Sequence, residues 1–177
     1  GLVPEATEAL AQAERLAAGN ATPLLQGAVA AAQGQIALCR NDREAAGSAL
    51  ARARDLFAGQ GARIMESKML RRMAEVASLA GDSATARRLA EDALAVASRV
   101  GRAGLVADAR LALALARLPD DAQKAAELAS EALAQGGAAL GAGFRASCLD
   151  AQSQALERLG NLARAQDLAR QAAGELE

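Results

Sequence analysis

Residues 73–94 read MAEVASLAGDSATARRLAEDAL, and this stretch decides the fold. It contains the end of one amphipathic segment, a Gly81-Asp82 pair and the start of a second segment. Glycine often ends a helix and aspartate often caps the next one, so we predict two antiparallel helices joined by a tight turn. Three small residues mark where the two helices have to touch: Ala74, Ala86 and Ala93.

The same small residues recur along the chain at a nearly fixed spacing. Steps of 40 residues backward from Ala86 reach Ala46 and Ala6, and forward steps of 39 and then 40 reach Ala125 and Ala165. The same steps from Ala93 reach a second set of alanines: Ala13, Ala53, Ala132 and Ala172. A fixed period between about 20 and 50 residues is typical of a repeat array. We therefore predict an array of helix pairs.

Composition supports an all-α protein. The chain has 177 residues, of which 52% are hydrophobic but only 1% aromatic. Alanine is the best helix former, and the residues that favour strands are scarce. Turn residues at regular points delimit nine predicted helices: 5–18, 23–39, 43–58, 62–80, 83–99, 102–117, 121–135, 139–159 and 162–175.

Local signals define the ends of these helices. Pro4 precedes the first helix, Thr22 caps the second, and Gly136-Gly137 is predicted to end the seventh. The Gly-rich stretch 136–143 is interpreted as a loop and helix start. It is not a phosphate loop, because it follows a helix and lacks a lysine at the required offset.

We expect a single domain made of a half repeat (residues 1–19) and four repeats (about 20–60, 61–100, 101–136 and 137–177). The chain does not begin with methionine, and its first helix corresponds to the second half of a repeat. We therefore expect a fragment of a larger protein.

This pattern resembles the tetratricopeptide repeat (TPR) family over nearly the whole chain. That family has small residues at its eighth, twentieth and twenty-seventh positions, and the two alanine sets above match the latter two. We assign the eighth position to Gly34, Ala74, Leu113 and Ser153, so Leu113 is the one large residue among them. The resemblance implies a right-handed α-solenoid of antiparallel helix pairs.

The period departs from the usual 34 residues of that family. At about 40 residues it is similar to the extended repeats of kinesin light chain and of the sensor domains of MalT-like bacterial regulators. Small or aliphatic residues such as Ala37 and Leu50 also replace the aromatic residues of the family.

Several function classes lack their usual residues. The chain has no histidine, no nucleophile beside a base and no metal-ligand spacing, so we expect no enzyme, no metal and no cofactor. Lys and Arg number 20 against 21 Asp and Glu, which gives no basic surplus for direct nucleic-acid binding. No apolar run is long enough to cross a membrane. Cys39 and Cys148 form no CxxC, and two buried thiols in a cytoplasmic protein are favoured over a disulfide.

The concave face is the first candidate binding site. In the family it is lined by the first helix of each repeat, which here places these side chains in the groove: Lys68, Arg71, Glu75, Arg110, Arg117, Asp150 and Gln154. We predict that Arg71 and Arg110 occupy the same position on successive repeats. With Lys68 they would hold a carboxylate or phosphate, because guanidinium groups bind both bidentately.

This arrangement loosely resembles the carboxylate clamp of chaperone-binding repeats, although the asparagines of that clamp are absent. The alternative is that the arginines form local ion pairs with Glu75, Asp108 or Asp150.

The favoured function is a non-catalytic module that binds a protein, a peptide or a small anionic effector. The partner is a separate molecule or another domain of the parent protein. The MalT-like resemblance implies a sensor or interaction part of a larger bacterial signalling or transcriptional regulator. The alternative is a structural spacer or oligomerisation scaffold that binds through its convex face or its ends. In that case a homodimer would form through exposed apolar ends such as Leu168, Ala169, Ala172 and Leu176.

Overall fold

The computed structural model describes the backbone of residues 2–20 and 22–176, with the side chains of residues 5, 7–15 and 22–176. These residues form helices and no strand. The helices are α1 (Leu2–Asn20), α2 (Pro23–Cys39), α3 (Arg43–Gly59), α4 (Arg63–Leu79), α5 (Ser83–Val100), α6 (Ala103–Arg117), α7 (Ala122–Leu140), α8 (Ala142–Arg158) and α9 (Leu162–Gly174).

Each helix packs against the next one along the chain, and the pairs α2–α3, α4–α5, α6–α7 and α8–α9 form the most extensive contacts together with α7–α8. The first helices α4, α6 and α8 of successive pairs also touch one another. The predicted all-α solenoid of helix pairs is confirmed. We use "first helix" for α2, α4, α6 and α8, and "second helix" for their partners.

A short polar side chain caps the start of each second helix, α3, α5, α7 and α9. The carboxylates of Asp42, Asp82 and Asp121 accept hydrogen bonds from the backbone N–H three residues later, at 3.0, 3.0 and 2.9 Å. The amide oxygen of Asn161 does the same for α9 at 3.4 Å. These bonds satisfy one of the N–H groups that a helix start leaves without a partner. The turns that the sequence predicts are therefore where the chain reverses.

Helix α1 is longer than predicted. It begins at Leu2 and ends at Asn20, whereas the sequence predicted residues 5–18. Pro4 lies inside its first turn, where the missing N–H has no intrahelical partner to lose. The prediction for the side chain of Ala6 lies outside the described residues.

The register of α6 differs from the prediction by one residue. α4 begins at Arg63 and α6 at Ala103, which is a step of 40 residues, but the caps Asp82 and Asp121 are only 39 apart. The segment from the start of α6 to its following cap is therefore one residue shorter than the segment from the start of α4 to Asp82. From Ala74, the same 40-residue step reaches Ala114 rather than Leu113.

The hydrogen bonds that follow the first helices support this corrected register. The backbone N–H of Asp82 donates to the carbonyl of Ala77, and the N–H of Asp121 donates to the carbonyl of Arg117, which lies 40 residues after Ala77. The eighth position is thus small in every repeat, and Ala114 has no exposed surface. The prediction that Leu113 is a large exception at that position was wrong, because Leu113 occupies a neighbouring core position.

The seventh helix does not end at Gly136-Gly137. It continues to Leu140, and the break falls at Gly141, whose φ of 81° lies in the left-handed region that favours glycine. A Cβ on Gly136 would meet Ala107, Phe144 and Leu140 within 3.1 Å. Close packing of α6, α7 and α8 therefore overrides the low helix propensity of two adjacent glycines.

Two buried clusters meet at α4. The first contains residues of α2 and α3 with Met69 and Val76 of α4. The second contains Leu70, Ala74 and Ala77 of α4 with residues of α5 to α8. Two neighbouring faces of one helix thus contribute to the two clusters, and α4 belongs to both.

Candidate functional site

A groove runs across the first helices. It has a volume of about 950 Å³ and is lined by side chains of α2, α4 and α6 and by the α7–α8 junction. Its apolar surface includes these residues: Ala31, Ile64, Leu105, Leu140 and Phe144. We call this surface the groove.

The extra turn of α7 closes one end of the groove. Leu140 lies at the last position of α7, and a Cβ on Gly104 would be 3.2 Å from its Cδ2. Gly104 therefore allows α6 to pass beneath the Leu140 side chain. Residues 139 and 140 line the groove because α7 continues beyond the predicted break.

The groove concentrates positive charge. Its lining includes four cationic side chains: Lys68, Arg71, Arg72 and Arg102. Asp108 is the only carboxylate among the described lining residues. The whole chain carries a formal net charge of −1, so the groove differs in sign from the molecule as a whole. Such a cluster in a concave site attracts anionic groups.

The cations of the groove differ in their partners. The Nε of Arg71 lies 2.9 Å from Oδ2 of Asp108, and both side chains are half-buried. Arg72 pairs with Glu75 on the same helix at 2.9 Å. Lys68 is exposed and forms no ion pair with any residue that the structure describes.

The contact of Arg71 with Asp108 is an ion pair and not a hydrogen bond. The Nε–Oδ2 distance of 2.9 Å is short enough, but the buried Nε has no hydrogen-bond partner among the residues that the structure describes. The two observations agree if the N–H does not point at the carboxylate oxygen, since a hydrogen bond weakens steeply when it is bent. Of the three predicted local partners of Arg71, the structure places Asp108 beside it.

Two predicted groove residues of α6 face second helices instead. Arg110 pairs with Glu131 of α7 at 3.3 Å and donates a hydrogen bond to Gln135. Arg117 pairs with Glu91 of α5 at 2.8 Å. Neither arginine lines the groove.

The one-residue error in the register of α6 explains both placements. In the corrected register, Arg71 corresponds to Leu111 and Arg110 corresponds to Leu70, so the two arginines do not occupy equivalent positions. Asp108 instead corresponds to Lys68. The sequence analysis therefore named Asp108 as an ion-pair partner but did not predict that it lies in the groove. The signal for that position is the 40-residue spacing between the helix starts at Arg63 and Ala103.

The remaining predicted residues lie at the edge of the groove or beyond it. Glu75 is exposed on α4 and reaches the groove only through Arg72. On α8, the amide of Gln154 donates to Oδ2 of Asp150 at 2.7 Å. Asp150 lines a smaller cleft between α8 and α9. The structure thus brings Lys68 and Arg71 together and places the other five side chains elsewhere.

The two cysteines are both free thiols in different environments. Cys148 is completely buried, and this burial raises its pKa to about 12, with a further contribution from the negative charge of Asp108. Cys39 is exposed at the last position of α2. The prediction of two buried thiols was therefore wrong for Cys39, because the buried face of α2 ends at Ala37.

The described residues contain neither a metal-ligand cluster nor a membrane-spanning helix. Within residues 2–20 and 22–176, no group of three or more His, Cys, Asp or Glu side chains is placed to hold a metal ion. None of the described helices is both long and apolar enough to cross a membrane.

No protein-family model and no curated protein matches the sequence. Solved structures do match it. A Rap protein complexed with Competence and Sporulation Factor superposes with a TM-score of 0.81 at 18% identity, over 96% of this chain and 47% of that one. BtubC (BKLC) from P. vanneervenii gives a TM-score of 0.74 at 14% identity, over 96% of this chain and 70% of that one.

A third similar structure is a protein from Podosopora anserina with nearly identical kinesin light chain TPR-like repeats. It has a TM-score of 0.72 at 19% identity, and the match covers 99% of this chain and 87% of that one. The chain thus has a TPR-like fold, and it spans about half the length of the Rap protein.

Proposed function

We propose that this chain is a non-catalytic binding module whose groove takes an extended segment of a partner protein. One observation carries the proposal. The groove combines four cationic side chains and a single carboxylate with an apolar lining, on a chain whose overall charge is slightly negative. Stacked helix pairs provide such extended concave surfaces for binding.

The two components of the groove have separate roles in this proposal. Apolar side chains such as Leu105 and Phe144 bury part of the partner segment, which favours association. The cations increase the rate of encounter with an acidic partner and disfavour basic ones. Lys68 and Arg102 are exposed and form no ion pair with a described residue, so a partner need not displace an internal carboxylate from them.

The wider context belongs to the same proposal. A structurally similar Rap protein is complexed with Competence and Sporulation Factor, which supports a binding role for an array of this shape. The resemblance to MalT-like repeats supports a cytoplasmic sensor or interaction part of a larger bacterial signalling or transcriptional regulator. In that setting the partner is a protein, another domain of the parent chain or a small anionic effector.

A peptide-display selection on the purified chain tests the binding role. We expect the enriched peptides to bind the chain without substitutions. Their affinity for the double variant Lys68→Glu with Arg102→Glu should be at least about tenfold lower. The matched control is Arg52→Glu with Arg99→Glu, which changes the charge equally on the exposed faces of α3 and α5. Peptides that bind the groove variant and the control equally well would contradict the proposal.

One observation favours a second candidate function, a scaffold that associates through its end. The cleft between α8 and α9 is lined by Ala146, Ala169, Ala172 and Leu176, and Leu176 is 69% exposed. Sedimentation velocity at several concentrations checks this candidate. Self-association that is lost in Leu176→Ser but kept in Lys68→Glu would assign binding to the end rather than to the groove.

A further inference from the structure

The position of Asp108 in the groove is unusual. Lys68 and Asp108 occupy the same position on successive first helices, so the second repeat presents a cation where the third presents a carboxylate. The carboxylate does not extend freely into the groove. Its Oδ2 lies 2.9 Å from Nε of Arg71 on the neighbouring helix.

This ion pair leaves the guanidinium incompletely bound. Within the described part of the chain, the buried Nε of Arg71 has no hydrogen-bond partner, although a carboxylate oxygen is within reach. Guanidinium and carboxylate bind best through two parallel N–H···O bonds, which this geometry does not achieve at Nε. A second carboxylate with better alignment would therefore bind Arg71 more strongly than Asp108 does.

We infer that the groove selects an acidic segment of a partner protein and that Asp108 is an internal competitor for Arg71, which the segment has to displace. This inference rests on the proposed function and specifies its ligand. One acidic side chain of the segment replaces Asp108 on Arg71, and others pair with Lys68 and Arg102. Asp108 thereby lowers the affinity of the groove for every anionic ligand and favours segments with several carboxylates over those with one.

The lining of the groove favours a protein segment over a small anion. Inorganic phosphate would pair with Arg71 but would leave the apolar side chains Ile64, Leu105 and Phe144 without contacts. A peptide that alternates acidic and apolar residues satisfies both parts of the groove. Apolar burial would then add to the charge pairing.

The test uses the purified chain and a short fluorescein-labelled peptide of alternating glutamate and leucine, with the glutamine–leucine peptide as its neutral counterpart. Anisotropy titrations give the affinities at low and at physiological salt. We expect the glutamate peptide to bind and Asp108→Asn to bind it about three- to tenfold more tightly, as expected for loss of one competing, partly exposed ion pair and one repelling charge. Salt should weaken the binding of the glutamate peptide to both the unmutated chain and Asp108→Asn.

Asp120→Asn is the matched control. It also removes one carboxylate from an ion pair between two elements, since Asp120 pairs with Arg87 at 3.4 Å, but it lies outside the groove. Its affinity for the glutamate peptide should equal that of the parent chain. Asp108→Ser is a second variant that removes the same charge, and circular dichroism confirms that each variant is folded.

The possible results separate this inference from the proposed function. If the parent chain and both Asp108 variants bind the glutamate peptide equally, Asp108 is not a competitor, while groove binding stands. If the glutamine peptide or phosphate binds as tightly as the glutamate peptide, selection of an acidic segment is wrong. If binding of the glutamate peptide survives Lys68→Glu with Arg102→Glu, the groove is not the site and both ideas fail.

Discussion

A Cβ atom on Gly136 would lie only 2.5 Å from the Cβ of Ala107. This distance is far shorter than a van der Waals contact between two carbons. α6 and α7 therefore approach each other through the backbone of Gly136, and no larger residue fits there without moving a helix. The end of the groove depends on this contact, because Leu140 lies one turn further along α7.

Gly136→Ala should therefore destabilise the protein by up to about 2 kcal/mol, since overpacking costs about 1–3 kcal/mol and the gain in helix propensity offsets only about 1 kcal/mol of it. Gly47→Ala in α3 is the control, because the nearest atom to its new Cβ is Val76 Cγ1 at 3.9 Å. This variant should gain about 0.5–1 kcal/mol. Urea unfolding followed by circular dichroism measures both, and stabilisation by Gly136→Ala would contradict the packing described.

Gly27 and Phe57 are a second close pair. A Cβ on Gly27 would lie 3.0 Å from Cε1 of Phe57, whose side chain is buried. Gly27→Ala and Phe57→Leu should each be destabilising, but the double variant should lose less than the sum by about 0.5–2 kcal/mol. A double-mutant cycle from denaturant unfolding gives this coupling energy, and additive effects would show that the ring and the glycine do not constrain each other.

The two thiols should differ sharply in reactivity. Iodoacetamide attacks the thiolate, and burial raises the pKa of Cys148 to about 12, so this residue remains protonated at neutral and mildly alkaline pH. We expect one adduct per native chain, on Cys39, and a second only after denaturation. Mass spectrometry of the peptides counts the adducts. Cys39→Ser is the control, and labelling of Cys148 in that folded variant would contradict the structure.

The cap of α5 should make stability depend on pH. The backbone N–H of Thr85 donates to Asp82 and holds the pKa of that carboxyl below its ordinary value. A depressed native pKa contributes stability above the unfolded pKa, and this contribution is lost as the pH falls from about 4 through the native pKa. Asp82→Asn keeps a capping oxygen but does not titrate, so its Tm should fall less than that of the parent chain on acidification.

Asn161 provides the reciprocal control for this experiment, because it caps α9 with an amide oxygen. Asn161→Asp should add a titrating cap and increase the loss of Tm at low pH. Thermal unfolding between about pH 5 and pH 2 measures both slopes. Identical slopes for the parent chain and the two variants would refute the contribution of the caps.

The helix pairs were predictable because their signals are local. A capping residue such as Asp42 or Asp82 fixes where a helix starts through a hydrogen bond three residues away, and this pattern is visible in the sequence. The small positions at Ala86 and Ala93 likewise repeat with a period that needs no tertiary information. The fold class followed from these two patterns together.

The partners of the arginines were not predictable in the same way. A 39-residue step has one residue fewer than a 40-residue step, and only the predicted helix starts at residues 62 and 102 indicate that this residue is lost after α6 begins. One residue rotates a helical side chain by about 100°, which is enough to turn Arg110 from the groove towards Glu131. The continuation of α7 through Gly136 also depends on Ala107, which is distant in sequence.

The division of the buried residues at α4 has a consequence for cooperativity. In a linear array each repeat is stabilised by itself and by its nearest neighbours. The cluster of α2 and α3 includes Met69 and Val76, whereas the cluster towards α8 includes Leu70 and Ala74 from the same helix. Partial unfolding that begins in α2 can therefore stop at α4 with the second cluster intact, while the loss of α4 itself removes support from both. α4, which also carries Lys68 and Arg71, is the segment that couples the folding of the two parts of the array.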